Sequence, residues 1–316
     1  MKKQQLGNTD LYIYPIAFGG NVFGWTLDEK KSFEILNGFT EAGFNFIDTA
    51  DVYSRWAPGN TGGESERIIG KWLKEKKNRH DIILTTKVGS DMGDGKKGLK
   101  KAYILKAIED SLQRLNTDYL DLYQTHFDDV ETRVEETLEA YAQLEKDGKI
   151  RWIGTSNMAP ERIKASLEAS AAKGLPRYQT LQPHYNLYAR EKYETNYEAL
   201  ALENNLGVIT YFSLESGFLT GKYRTKADLA KSPRGGDMDK YFDERGLKIL
   251  AALDEVSKHH KATPAAVALA WLLHKPSVTA PIVSATSTSQ LESIILAPNL
   301  TLDAEAMQLL DDASSW

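Results

Sequence analysis

Between Phe44 and His126 the chain carries three short runs: Phe44-Asn45-Phe46-Ile47-Asp48, Ile82-Ile83-Leu84-Thr85-Thr86-Lys87 and Leu120-Asp121-Leu122-Tyr123-Gln124-Thr125-His126. Each is β-rich and ends on an ionisable residue where a polar loop begins. Between them, apolar residues recur at three- and four-residue steps, as at Ile104, Ile108, Leu112 and Leu115, the spacing of one helix face. Strand alternating with helix is the pattern of parallel βα units, whose loops gather on one face at the strands' C-terminal ends. Neighbouring strands would bring Asp48, Lys87 and His126 over one patch, joined by Tyr53 just past the first run.

The alternation continues outward in both directions. Ile16–Gly19, Trp152–Ser156, Gln179–Pro183, Gly207–Tyr211 and Thr279–Ser284 read as further strands. Amphipathic segments lie at Lys30–Ala42, Glu66–Lys76, Ala102–Leu115, Val134–Lys146, Pro160–Lys173, Glu191–Asn204, Pro264–His274 and Ser289–Ile295. Gly43, Gly148 and Gly174 stand where helices stop, Pro160 and Pro264 suit first turns, and Thr263 suits an N-cap. About eight consecutive βα units with no sign of a second domain predict a closed (β/α)₈ TIM barrel, one α/β domain over 1–316, rather than a doubly wound open sheet. Gln4–Leu6 and Leu11–Ile13 flank Gly7-Asn8-Thr9-Asp10, a hairpin expected to close the barrel floor. Ser216–Gly246 is a long connection after the seventh strand, and Asp303–Ser314 reads as a terminal helix on the outside.

With 316 residues, 41% of them hydrophobic, the chain can bury a large core. The net charge of -5 and the scatter of the 39 basic residues give no nucleic-acid footprint. Cysteine is absent, which removes disulfides, thiolate nucleophiles and cysteine-based metal sites. No apolar stretch reaches membrane-spanning length, and Met1-Lys2-Lys3-Gln4-Gln5 leads into no signal-like run. A soluble, cytoplasmic protein with no membrane or nucleic-acid partner is expected. His259-His260 falls at the end of a further helix and reads as a solvent-facing C-terminus rather than a ligand pair.

The four strand-end residues have a chemistry in common. Tyrosine ordinarily loses its proton near pH 10 and is a poor acid at neutrality. A neighbouring ammonium favours the phenolate, and a buried carboxylate can hold that ammonium in place. Lys87, Asp48 and Tyr53 supply these parts, so Tyr53 could donate a proton to a carbonyl oxygen as hydride reaches carbon, while His126 orients that oxygen. Polar residues also end later strands: Ser156-Asn157, Gln182 and Tyr211-Phe212-Ser213.

Together these segments resemble the aldo-keto reductase family nearly end to end. The resemblance is carried by Gly43-Phe44-Asn45-Phe46-Ile47-Asp48-Thr49-Ala50 with Tyr53, by Thr85-Thr86-Lys87-Val88, and by Asp118 through His126. It continues in Gly148-Lys149-Ile150-Arg151-Trp152-Ile153-Gly154-Thr155-Ser156-Asn157 and Gln182-Pro183-His184-Tyr185-Asn186. The family tetrad is intact at Asp48, Tyr53, Lys87 and His126. Membership implies a barrel that binds an extended nicotinamide cofactor without a Rossmann domain. Consistently, Gly19-Gly20-Asn21-Val22-Phe23-Gly24 does not fit G-x-G-x-x-G, and Gly217-Phe218-Leu219-Thr220-Gly221-Lys222 is one residue short of a P-loop.

The resemblance assigns Ser156, Asn157 and Gln182 to the carboxamide and Tyr211 to the nicotinamide face. Ser213 and Leu214 would line the cofactor path, and the segment holding Gly217, Leu219, Gly221 and Lys222 would face the pyrophosphate. Gly19 would allow close backbone approach, and Asp48 would border the nicotinamide. Ser284, Thr286 and Gln290 stand where many relatives carry Lys or Arg for an adenosine 2′-phosphate, and Arg234 aligns with an arginine that serves that phosphate in some relatives. NADP(H) is expected, with NAD(H) as the alternative.

Trp25, Arg55, Trp56 and Phe127 form an expected substrate rim, suited to a small polar or sugar-like carbonyl compound. Two other functions compete. A metal-dependent barrel hydrolase or isomerase would use His126, Asp128 and Asp48 as ligands, whereas such sites need several ligands from different strands. A nicotinamide-binding redox-sensor subunit without turnover would not need the intact tetrad.

Overall fold

A computed structural model describes residues 2–231 and 235–316. Two short antiparallel strands, β1 (Gln4–Gln5) and β2 (Tyr12–Ile13), form the expected hairpin. There follow β3 (Ala17–Gly19), α1 (Glu29–Glu41), β4 (Phe46–Asp48), α2 (Glu64–Lys76), β5 (Ile83–Val88), α3 (Lys101–Leu115), β6 (Leu120–Thr125) and α4 (Val134–Lys146). Next come β7 (Ile150–Ser156), α5 (Pro160–Lys173), β8 (Tyr178–Gln182), α6 (Glu191–Asn196), α7 (Glu198–Glu203) and β9 (Gly207–Thr210). The chain ends with α8 (Glu244–His260), α9 (Pro264–Leu273), β10 (Val278–Val283), α10 (Thr288–Leu296) and α11 (Ala304–Ala313). Strands β3 to β10 pair in parallel and close on themselves, β10 against β3, as a (β/α)₈ barrel.

The two-residue strand period builds the site. Side chains alternate between the barrel interior and the helix layer. Phe46, Ile83 and Leu122 belong to the small apolar cluster of the barrel floor, together with Leu6, Leu11 and Ile13 of the hairpin region. Stepping by two from those residues reaches Asp48 on β4, Thr85 and Lys87 on β5, and Gln124 then His126 on and beyond β6. The register places Phe46 opposite Ile83, Thr85 opposite Leu122 and Lys87 opposite Gln124. One side of each strand therefore climbs from an apolar floor to an ionisable rim. The other side faces the larger core between barrel and helices, where Leu84, Val88 and Tyr123 pack with Trp72 and Tyr141.

The expected terminators occur at several helix ends. Gly174 closes α5 in the left-handed conformation at φ 63°, which glycine adopts without steric cost. Thr263 accepts the Ala266 amide to cap α9. One expected helix divides: Glu191–Asn204 breaks at Tyr197, which leaves helical geometry at φ −122° and places its hydroxyl 3.2 Å from the Met158 carbonyl on another loop. Among its described residues, the long connection after β9 carries short 3₁₀ turns up to α8. Among the described residues, no helix is long and apolar enough to cross a membrane.

Candidate active site

At the C-terminal end of the barrel, Lys87 Nζ lies 2.6 Å from Asp48 Oδ2, 2.8 Å from the Thr49 carbonyl and 2.8 Å from the Tyr53 hydroxyl. Three acceptors match the three protons of an ammonium. Asp48 and Lys87 are both fully buried. Asp48 also accepts from Gln182 Nε2 at 3.0 Å, from Gln124 Nε2 at 3.4 Å and from the Tyr53 hydroxyl at 3.4 Å. Burial pushes the Asp48 carboxyl above its ordinary range, against the pull of Lys87 and the amide donors. Burial likewise lowers the Lys87 ammonium, against the pull of Asp48. Each charge is thus retained by its partner rather than by water, and Tyr53 is the one member of the trio that faces the open cleft.

His126 follows β6 and takes its backbone hydrogen bond from the end of β5, its amide lying 2.8 Å from the Val88 carbonyl. Burial and the Lys87 charge hold its imidazole well below the usual histidine range, so the ring is neutral at neutral pH. Its Nδ1 lies 2.8 Å from Ser90 Oγ. A serine hydroxyl that donates there would leave the proton of the neutral ring on Nε2, whereas one that accepts would leave it on Nδ1. The Tyr53 and His126 rings meet edge to face at 6.0 Å.

These residues form the base of a cleft of about 1390 Å³, beyond the roughly 300–1,000 Å³ of a single small-ligand pocket. Gly19, Ser156, Asn157, Gln182, Tyr211, Ser213, Leu214, Gly217 and Lys222 line it, as do Ser284, Thr286 and Gln290 toward its far end. Asn157 bridges the two sides: its amide donates to the His126 carbonyl at 3.0 Å and its oxygen accepts from the Tyr211 hydroxyl at 2.9 Å. Ser156 Oγ donates to the Gln182 carbonyl.

Several features of the cleft fit an elongated cofactor with an aromatic ring and phosphates. A Cβ on Gly19 would come within 2.9 Å of Ile282 Cγ2 and 3.0 Å of Ser284 Oγ, so the ends of β3 and β10 pack too closely there for a side chain, and the cleft wall at this point is bare backbone. Ser216 and Gly217 adopt left-handed conformations at φ 54° and 98°, a turn that can present backbone amides to an anion.

Some expected residues lie elsewhere. Leu219 is fully buried and, like Gly221, does not line the cleft. Thr286 and Gln290 line the cleft but are engaged with each other, Gln290 Oε1 accepting from the Thr286 amide at 2.9 Å and hydroxyl at 3.1 Å. Arg234 lies outside the described residues. Trp25, Trp56 and Phe127 line the mouth beside Tyr53 and His126, whereas Arg55 does not. Arg55 follows Tyr53 by two residues but is exposed, its guanidinium packed against Gly93. The expected aromatic rim is present without its arginine, and Phe212 joins it.

Sequence reasoning passed over the supporting groups. Gln124 is legible in retrospect, two residues before His126 on the same strand face. Ser90 carries no such signal. A second buried network lies behind Lys87: Glu66 accepts from Thr86 at 2.6 Å and Arg114 at 2.6 Å. Asp51 beside it leaves Oδ1 without a partner, and burial with the nearby Glu66 charge pushes its carboxyl well up. Below Tyr211, His184 stacks on the ring at 5.3 Å and 16° and pairs with the buried Glu215 at 2.8 Å. Burial pushes the Glu215 carboxyl up, but hydrogen bonds from His184, Tyr241 and Asn186 outweigh it and hold it below its usual range. Glu215 thereby ties the turn after β9 to the loop after β8.

The donors of the competing metal-site reading are otherwise occupied. Asp48 is held by Lys87, and Asp128 takes the Arg162 guanidinium on both oxygens at about 3.1 Å. Among the described residues, the one group of three candidate ligand side chains, His259, His260 and Asp303, lies outside the cleft.

Comparison with known proteins agrees with the architecture. The sequence profile of the Aldo/keto reductase family matches residues 15–315. The oxidoreductase YrpG of Bacillus subtilis is 34% identical over 99% of this chain and 95% of its own length. The aldo-keto reductase YhdN of the same organism is 32% identical over 92% and 85%. A "Probable voltage-gated potassium channel subunit beta" of Arabidopsis thaliana is 32% identical over 92% and 89%. With a closed parallel barrel and a family match along almost its whole length, the chain belongs to the aldo/keto reductase family and is an NAD(P)H-dependent oxidoreductase.

Proposed function

We propose that this protein reduces aldehyde or ketone groups to alcohols, or catalyses the reverse oxidation, with Tyr53 as the proton donor. The observation that carries this reading is the Lys87 ammonium, buried and bonded at once to Asp48 and to the Tyr53 hydroxyl beneath an open cleft. A nicotinamide cofactor bound along Gly19, Ser156, Asn157, Gln182 and Tyr211 supplies the hydride. Tyr53 releases its proton to the carbonyl oxygen, and Lys87 stabilises the charge that grows on the phenol oxygen as the proton leaves. Asp48 keeps that ammonium charged and aimed. Neutral His126 donates from Nε2 to the same carbonyl oxygen, with Ser90 fixing the ring.

On substrate, the expectation of a small polar or sugar-like carbonyl rested on Arg55 and Asp128 within an aromatic rim; Arg55 does not line the cleft and Asp128 is taken by Arg162. The aromatic mouth of Trp25, Trp56, Phe127 and Phe212 supports a flatter and less polar carbonyl compound, since exposed aromatic rims mark apolar binding surfaces. For the cofactor we infer NADP(H) ahead of NAD(H). Lys222 lines the cleft where it would face the pyrophosphate common to both, and the preference rests on the family, which generally takes NADPH.

Tyr53→Phe tests the proton donor. Turnover of a generic aromatic aldehyde should fall about 10²–10⁴-fold, while NADPH still quenches tryptophan fluorescence with an unchanged Kd. Turnover within a few-fold of wild type would remove Tyr53 from the mechanism. The same titration with NADH ranks the two cofactors. A second reading, a nicotinamide-binding subunit without turnover, draws on the relative with the channel-subunit name. Cofactor binding without reduction across a carbonyl panel would favour it.

A further inference from the structure

Away from the barrel mouth, the carboxyl end of α8 meets the amino end of α11. His259 and His260 close α8, and Asp303 caps α11. Asp303 Oδ1 accepts the Ala306 amide at 2.8 Å, while Oδ2 lies 3.8 Å from His259 Nε2. The His260 ring stands at 77° to that of His259, with centroids 4.9 Å apart. One candidate ligand atom from each of the three side chains lies within 4.8 Å of the others. His260 Nε2 is buried and has no hydrogen-bond partner. An unsatisfied buried polar atom is uncommon in native folds and calls for a missing ion or water.

We propose that His259, His260 and Asp303 form a binding site for a divalent transition metal, with Zn²⁺ the best match. Two imidazoles and one carboxylate are the donor set that Zn²⁺ accepts, at about 2.0–2.2 Å from each ligand atom. Ligand atoms around such an ion stand roughly 3–3.5 Å apart, so the side chains need to close by about 1 Å. His259 and Asp303 are 71% and 54% exposed and can rotate into place. Oδ1 keeps its helix cap while Oδ2 turns to the metal. The negative end of the α8 dipole favours a cation at this position. The flanking Lys258 and Lys261 oppose it. The bound ion would clip α11 to the end of α8. Because none of the three residues lines the cleft, this site is separate from the proposed reduction chemistry.

The test is calorimetric titration of untagged, chelator-washed protein with ZnCl₂, with thermal unfolding measured in parallel. Saturable binding of one equivalent is expected, together with a rise in Tm. His259→Ala and Asp303→Asn should each weaken binding by about tenfold or more. His259 is exposed and Asn is itself a good N-cap, so neither variant endangers the fold. His80→Ala, at a separate exposed histidine, should bind as wild type does. Absence of saturable binding up to millimolar Zn²⁺ would overturn the proposal. So would equal affinity in wild type, His259→Ala and Asp303→Asn, or a loss confined to His80→Ala.

Discussion

Replacing Asp48 by Asn removes one charge and changes almost nothing in shape. In the wild type the carboxylate accepts Lys87 at 2.6 Å and two side-chain amides, all without access to water. An amide in its place keeps one acceptor and turns a donor toward Gln182, Gln124 or Lys87, each of which is a donor itself. Removing one partner of a buried ion pair costs about 3–5 kcal/mol if the remaining charge stays. Lys87 has a cheaper escape, because burial already lowers its pKa and Asp48 is the leading influence that raises it. In the variant the amine should therefore shed its proton.

The sign of the pH dependence follows from proton counting. Over the range where the folded variant holds a neutral Lys87 and the unfolded chain a charged one, the unfolded state binds one more proton. Stability then rises with pH, by about 1.4 kcal/mol per unit for one proton. Urea unfolding at about pH 6 and about pH 9 reads this directly: the deficit against wild type should shrink at the higher pH. Turnover should fall by about 10²–10⁴, the contribution of the acid that a neutral amine no longer supports. A variant that keeps turnover within tenfold, or whose stability deficit is the same at both pH values, would show that Asp48 does not hold the ammonium.

The histidine and the glycine give sharper tests of separate parts. His126 is held neutral by burial and by Lys87, so the native state binds fewer protons than the unfolded chain below about pH 6.5. Stability should be complete above that value and should decline on acidification by about 1.4 kcal/mol per unit. His126→Asn should remove this slope in acid urea titrations; an unchanged slope would place the charge sensitivity elsewhere. Gly19→Val should raise the Kd for NADPH, read by fluorescence, by about tenfold or more, about 1.4 kcal/mol, because even a Cβ there approaches Ile282 Cγ2 to 2.9 Å and the larger side chain must displace Ile282 and Ser284 of the cleft wall. Wild-type affinity would mean that the cofactor does not pass this strand end.

What could be read from the sequence is what strand periodicity controls. Asp48, Lys87 and His126 each lie two or four residues beyond a floor residue on the same strand face, so recognising the three strands was enough to predict that they converge. Tyr53 is reached through a short loop, and its placement was legible because Lys87 and Asp48 give a phenol there something to bond. Arg55 shows where this logic ends. Two residues beyond Tyr53 no strand period applies, and only the turn decides that Trp56 faces the mouth while Arg55 packs outward against Gly93. The Glu215–His184 pair lies further out of reach, since its partners come from loops after different strands and Glu215 itself sits in a left-handed conformation at φ 44°. A glutamate in that conformation carries no local signal in the sequence; it is held by three hydrogen bonds from side chains that only the closed barrel brings together. The floor and the strand-end residues Asp48, Lys87 and His126 thus follow from local periodicity. The aromatic mouth, and the Glu215–His184 clamp beside Tyr211, follow from loop geometry that the strand pattern leaves undetermined.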